Sequence, residues 1–343
     1  MREISTSLQQ WLAGGRATAI ATVIKTWGSS PRPAGAKMAI NEQGEFAGSV
    51  SGGCVETAVI EAAMQVIQTG KPRLLQFGVS NEQAWEVGLS CGGKIEVFVE
   101  PLALMTKEFY NSYQDHLDRN EPFVVATIVR GDESLLGQRV LLRQDGVSLG
   151  DISNATVISA VRDQAQSLFS KASSMSLPAG DCELFVESCF PPPKLIIIGA
   201  VHIAAPLVTM AKVLNFTVIL IDPRGAFSTS ARFPHVDQLF SKWPDEALTE
   251  AGIDASTCIV ILTHDPKIDD PAIKIALQHT PAYLGVLGSR RTHEKRLHRL
   301  CADGMSEEQL AQIHAPIGLD IGALSPAEIA VSILAEIVAC RRK

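Results

Sequence analysis

Two cysteines in the first third of the chain stand against paired glycines. In residues 48–57, GSVSGGCVET, Cys54 follows Gly52 and Gly53 and precedes an apolar helical pattern. Glycine pairs permit unusual backbone angles and let a ligand approach closely. At the start of a helix, unpaired N–H groups and the helix dipole favour negative charge. Both effects stabilise a thiolate. A thiolate there can ligate a soft metal, attack an electrophile or carry a sulfur atom. Glu56, two residues on, is either an acid/base partner or a favourable first-turn acid. The plainer alternative for Cys54 is a small packed residue beside a glycine turn. In LSCGGKIEVFVEP, Cys91 precedes Gly92 and Gly93 at the entry to a strand-like run. Two glycine-lined cysteines facing one pocket would close on one bulky ligand. A β-bulge or strand-entry turn is the alternative for Cys91.

Other segments carry cations and hydroxyls suited to an anion. The loop GSSPRPAGAKM, residues 28–38, offers Ser29, Ser30, Arg32 and Lys37, which suit a phosphate or simply a solvated loop. In the second half, IIIGAVHIAAP stands where a dinucleotide fold places G-x-G-x-x-G/A. Gly199 and Ala204 satisfy the first and third positions. Val201 replaces the second glycine and would crowd a pyrophosphate. Asp222 closes the next strand about 20 residues on, where a ribose-binding acid belongs. His202, Arg224, His264 and Asp265 also fall at strand ends, the edge where open α/β sheets bind ligands. Ser289 and Arg290, at a helix start, form an anion-site candidate. His293, His298 and Arg299 read as a solvated helix face. Cys182, Cys189, Cys258, Cys301 and Cys340 read as packing.

The elements that must position these groups fall into two sets. Three prolines, Pro191 to Pro193, cannot sit in a helix or a central strand. They divide residues 1–190 from residues 191–343. Beyond them, apolar strands (194–199, 217–222, 257–263, 283–288) alternate with helices (203–214, 271–279, 291–302, and one from Pro326 capped by Ser325). That alternation predicts a Rossmann-like, doubly wound parallel α/β domain. The first 190 residues read as mixed α+β, in one domain or two subdomains. Strands are expected at 17–27, 73–78, 95–100, 123–130, 140–143 and 183–187, and a helix at 55–68.

Composition sets the outer limits. At roughly 100–200 residues per domain, 343 residues make two or more units. With 46% hydrophobic and 20% charged residues the chain is ordinary globular material. A net charge of -7 argues against a general nucleic-acid binder. No apolar run is long enough to span a membrane, and MREISTSLQQWLAGG has no apolar signal region. Seven cysteines without a C-x-x-C pair suggest neither a disulfide framework nor a zinc site, so a reducing cytoplasm is expected.

Taken in order, GSSPRPAGAKM, GSVSGGCVE, CGG before a strand ending in Glu-Pro, GA-x-H-I-A, IDPR, RFP, VLGSRRT and GLDIGALSPAEIAVSILAEI resemble the XdhC/CoxI family. These are accessory proteins in the maturation of xanthine dehydrogenase and carbon monoxide dehydrogenase. The resemblance runs from about residue 28 to 337 and is thin between 106 and 193. It implies a chaperone for the molybdenum cofactor, as molybdopterin or its dinucleotide form. Such a chaperone assists sulfuration and insertion into a xanthine dehydrogenase-type molybdoenzyme. Cys54 is then the family's GGC cysteine, touching molybdenum through the cofactor or handling its sulfur, and Cys91 is the CGG cysteine. The implied partners are the molybdoenzyme, a cysteine desulfurase, a cofactor nucleotidyltransferase and a second copy in a homodimer. The family commonly reads GAGHV where this chain has GAVHI, which bears on NAD(P) binding. The competing reading is an NAD(P)-dependent oxidoreductase with a degenerate fingerprint; a persulfide-transfer enzyme using both cysteines is a third.

Overall fold

A computed structural model describes residues 1–28, 32–53, 55–78, 93–170, 174–225 and 227–342. Cys54, Cys91, Gly92 and Ser30 lie outside the described residues. Two compact units, Met1–Pro191 and Pro192–Lys343, meet within the proline run.

The first unit opens with helix α1 (Ser5–Ala13) and then states one topology twice. Strands β1 (Thr18–Trp27), β2 (Lys37–Asn41) and β3 (Phe46–Gly48) form an antiparallel meander. Helix α2 (Glu56–Thr69) follows, then β4 (Arg73–Phe77) and β5 (Lys94–Pro101). The sheet order is β3-β2-β1-β5-β4. After helix α3 (Lys107–Asp118), the pattern recurs through β6 (Phe123–Arg130), β7 (Arg139–Arg143), β8 (Ser148–Gly150), α4 (Ala155–Ser170), β9 (Ser174–Ala179) and β10 (Cys182–Cys189). This second sheet has the order β8-β7-β6-β10-β9.

Strand alternation sorts each sheet's two faces. Ala19, Ala21 and Val23 of β1 pack with Val59, Ala63 and Val66 of α2. Val124, Ala126 and Ile128 of β6 pack with Val157 and Val161 of α4. The opposite faces meet each other through Ile24 and Phe98 of one sheet and Val129 and Phe185 of the other. The layers therefore run helix, sheet, sheet, helix. Ion pairs stitch the sheets together: Lys37 Nζ to Glu187 Oε2 at 2.8 Å, Arg130 Nη2 to Glu96 Oε2 at 2.6 Å, and Arg139 Nη2 to Glu100 Oε2 at 2.5 Å. Buried charges persist only when paired in this way.

The second unit is the parallel doubly wound domain. It comprises β11 (Lys194–Ile198), α5 (Ala204–Val213), β12 (Thr217–Ile221), β13 (Gln238–Phe240), α6 (Pro244–Ala251), β14 (Cys258–Ile261), α7 (Pro266–Gln278), β15 (Tyr283–Val286), α8 (Arg290–Ala302), α9 (Glu307–Leu310), β16 (Ile313–His314) and α10 (Pro326–Arg342). The six strands lie in the order β13-β12-β11-β14-β15-β16, all parallel. Leu195 and Ile197 face α5 and α10; Ile196 and Ile198 face α6 and α7. Burial on both faces is why the strands read as unbroken apolar runs.

One boundary differs from expectation. The helix expected at 271–279 starts at Pro266. The Asp265 carboxylate accepts the Lys267 N–H at 3.0 Å, and Pro266 takes the first helical position, where its missing N–H costs nothing. Pro271 mimics a helix start but lies inside α7. At α10 the start does fall at Pro326, where the Ser325 hydroxyl accepts the Glu328 N–H at 3.3 Å.

Candidate functional site

Strand register draws three of the singled-out segments to one end of the first sheet. Thr22 pairs with Lys37, Met38 with Gly48, Trp27 with Lys94, and Phe77 with Ile95. The ends of β1, β3 and β4 and the starts of β2 and β5 therefore lie together. Segments 28–36, 49–55 and 78–93 all leave from there. A Cβ placed on Gly28 would lie 3.6 Å from the Gly93 Cα. The Arg32 Nε–H donates to the Ser49 carbonyl at 3.2 Å. Among the described residues, the anchors of the GGC and CGG segments thus share one sheet end.

Glu56 organises the loop before α2. Its Oε1 accepts the Ser49 hydroxyl at 2.7 Å, the Ser51 N–H at 2.9 Å and the Gly52 N–H at 3.0 Å. Its Oε2 accepts the Ser51 hydroxyl at 2.5 Å, the Gly53 N–H at 2.8 Å and the Val55 N–H at 3.2 Å. Burial alone would raise the carboxyl pKa. The hydroxyls of Ser51 and Ser49 and the loop amides outweigh it and pull the value down to about 2. The N-cap residue Val55 has no side-chain acceptor, so Glu56 reaches back and does the capping itself. The Gly52 and Gly53 amides accordingly point at Glu56. Gly53 has a φ of 115°, and a Cβ built there would meet nothing within 4 Å among the described residues.

The cations expected to seat an anion beside this loop are otherwise engaged. Arg32 Nη2 donates to both Glu3 carboxylate oxygens, at 2.6 and 2.7 Å, which opposes its charge. Lys37 is buried against Glu187 and Thr22.

The second cluster lies at the carboxyl edge of the parallel sheet. After β11 the chain turns toward β12; after β14 it turns toward β15. The crevice between these turns is the topological switch point. It encloses about 600 Å³ and is lined by Val201, His202, Arg224, Thr263, His264 and Asp265, among others. Four sequence segments, GAVHI, IDPR, THDP and VLGSRR, send at least one residue to it.

Asp222 does not stand free at this edge. It is fully buried and its carboxylate is filled. Oδ2 accepts the Ala200 N–H at 2.8 Å and Arg224 Nη2 at 2.8 Å; Oδ1 accepts the Arg224 backbone N–H and Nε, both at 2.9 Å. Burial opposes ionisation, but these donors hold its pKa below the usual carboxylate range. A ribose diol would find no free acceptor on Asp222. Arg224 is the exposed member of the pair, its guanidinium 4.7 Å from the Phe227 ring centroid. Asp265 is also committed, as the cap of α7. The crevice therefore presents Arg224 held by Asp222 from behind, two histidines, and the exposed Asp265, one of whose oxygens caps α7.

Gly199 serves packing. Its φ is 108°, and a Cβ there would lie 2.6 Å from Thr263 Cγ2 across the neighbouring strand. The Ser289 hydroxyl caps α8 by accepting the Thr292 N–H at 3.2 Å. Ser289 and Arg290 are not part of the crevice lining, which takes only Leu287 from that turn. Arg299, expected to be solvated, grips Asp270 at 2.8 and 3.0 Å. Cys301, expected to pack, is exposed. Arg224 and Thr263 carry more of the site than sequence reasoning gave them. The signal in the chain was the spacing of Asp222 and Arg224, which lets one side chain fold back on the other. Among the described residues, no three His, Cys, Asp or Glu side chains converge to hold a metal ion, and no helix is long and apolar enough to cross a membrane.

Known proteins resemble both units. A family model described as the XdhC Rossmann domain matches residues 195–337, and the XdhC and CoxI family model matches residues 11–78 and 116–177. A Bacillus subtilis protein named as a probable xanthine dehydrogenase component is 29% identical, over 100% of this chain and 99% of its own length. The Escherichia coli molybdenum cofactor insertion chaperone PaoD is 27% identical, over 96% of this chain and 85% of its own. A crystal structure titled as a xanthine dehydrogenase from Bacillus halodurans superposes with a TM-score of 0.82 at 26% identity. That match covers 98% of this chain and 95% of the other.

Proposed function

Because this chain belongs to the XdhC and CoxI family, we propose that it carries the molybdenum cofactor to a xanthine dehydrogenase-type molybdoenzyme and assists its maturation there. The insertion chaperone from E. coli supports the reading, since the likeness extends over nearly the whole chain. The observation that carries it is the crevice of the second unit at the carboxyl edge of the parallel sheet. A pterin cofactor ends in a phosphate or nucleotide, and His202, His264 and the exposed guanidinium of Arg224, held in place by Asp222, face a space of about 600 Å³ and can donate hydrogen bonds to such a group. Phosphate is the anion such a crevice suits.

In the first unit, Cys54 is the proposed soft partner for molybdenum or for the sulfur bound for it, with Cys91 as a second thiol. The described anchors of the segments bearing them share one sheet end, which supports a shared site. Glu56 holds the loop: a carboxyl at about 2 has no proton to give near neutral pH, and the donors already on both oxygens leave it a weak base. Sulfuration on this route implies a cysteine desulfurase, and a dinucleotide cargo implies a nucleotidyltransferase.

The test is retention of molybdopterin by the purified chain, together with activation of a cofactor-free molybdoenzyme. Cys54→Ala should abolish activation. Arg224→Lys keeps the charge but loses the fork by which Asp222 positions the side chain, and should weaken retention about tenfold. If both variants match the wild type, the reading fails. Tight binding of NAD(H) or NADP(H) would favour the oxidoreductase reading instead, against Val201 and the filled Asp222.

A further inference from the structure

The end of β16 and the last turns of α10 bring a thiol, an imidazole and a carboxylate into line. Glu336 Oε1 lies 3.2 Å from His314 Nδ1, and His314 Nε2 lies 3.9 Å from Cys340 Sγ. Glu336 and Cys340 are four residues apart on α10 and so share a face. The Glu336 carboxylate is fixed by two further donors, the Tyr283 hydroxyl at 2.5 Å and the Gly318 N–H at 2.8 Å. The Tyr283 ring stacks on His314 with centroids 4.7 Å apart, which holds the imidazole plane. Burial, and then the bond to Glu336, push the Tyr283 pKa up, so the hydroxyl stays a donor.

This is the order nucleophile, base, orienting acid. A carboxylate at Nδ1 selects the tautomer with its proton on Nδ1, which turns the Nε2 lone pair toward the thiol. Arg341 and Arg342 in the last turn offset the helix-end carbonyls that would disfavour a thiolate. Cys258 makes a useful contrast: it is fully buried, and burial pushes its thiol up to about 12. Cys340 is only half-buried and His314 is partly exposed, so a small reagent can reach the pair.

We propose that Cys340, with His314 as base and Glu336 as its orienting acid, is a thiol–disulfide exchange site that takes small-molecule disulfides. His314 Nε2 accepts the Cys340 proton. The thiolate attacks one sulfur of R–S–S–R; the Cys340–S–S–R bond forms as the reagent's S–S bond breaks. The departing R–S⁻ takes the proton back from His314. The disulfide is the oxidant and no other co-reactant is needed. The site is independent of the proposed cofactor role.

Oxidised glutathione and an aromatic disulfide serve as probes on the full chain, with adducts quantified by peptide mass mapping. Exposure alone ranks Cys301 ahead of Cys340. The relay predicts the reverse order in the wild type, a comparison that needs no variant. His314→Gln should slow Cys340 at least about tenfold while leaving Cys301 unchanged, and Glu336→Gln should slow it in the same direction. Unchanged Cys301 kinetics in each variant report an intact fold. Cys340 reacting no faster than Cys301, or His314→Gln leaving its rate within about twofold, overturns the proposal.

Discussion

Replacing Glu56 by glutamine keeps the side chain's size but removes its charge and turns one acceptor into a donor facing N–H and O–H groups. The wild-type carboxyl drops from 4.5 to about 2 on folding. At 1.36 kcal/mol per factor of ten, and allowing for some solvent screening, this amounts to about 2–3 kcal/mol. Bond accounting agrees: the substituted oxygen forfeits charge-assisted bonds of about 1.5–3 kcal/mol each, in part replaced by water. The assay is hydrogen exchange at the Ser51, Gly52, Gly53 and Val55 amides, which reports local opening without unfolding either unit. Glu56→Gln should speed exchange there roughly 30- to 150-fold at neutral pH. The pH dependence has a definite sign. The folded value lies below the unfolded one, so the stabilisation is complete above about pH 4.5 and drains as pH falls toward about 2. The gap between wild type and variant should close over that window. Exchange rates within about threefold of wild type at neutral pH would refute the assignment of Glu56 as the loop's anchor.

Two further outcomes concern the scaffold. Arg139→Met strands the Glu100 carboxylate between the sheets and should cost about 3–5 kcal/mol in denaturant unfolding, with Arg139→Met/Glu100→Leu recovering most of it. Gly199→Ala drives a methyl against Thr263 at an unfavourable φ. It should destabilise the second unit by about 1–3 kcal/mol by thermal melting, less so when combined with Thr263→Ser.

The second unit was legible because its strands are buried on both faces and spell continuous apolar runs such as residues 195–198. The repeated topology of the first unit was not. Lys37 read as an anion-site candidate in a loop, yet it pairs with Glu187 across the inner faces of two sheets, as Arg139 does with Glu100, and nothing local in the chain announces that the sheets meet. The site residues show the same divide. Position along a strand pointed to Asp222, and position in a helix pointed to Glu56. What each carboxylate binds depends on how a neighbouring segment folds back: Arg224 in one case, the Ser49–Gly53 amides and hydroxyls in the other. Cys340 read as packing because His314 and Glu336 are distant from each other in sequence and meet only where β16 lies beside α10.

We propose that the molybdenum cofactor is held through the thiol of the GGC segment. The most direct measurement is the molybdopterin content of the purified full chain after incubation with the cofactor, compared with Cys54→Ser. Near-stoichiometric retention is expected of the wild type, with most of it lost in the variant. Absence of retention by the wild type, or equal retention by both, contradicts it.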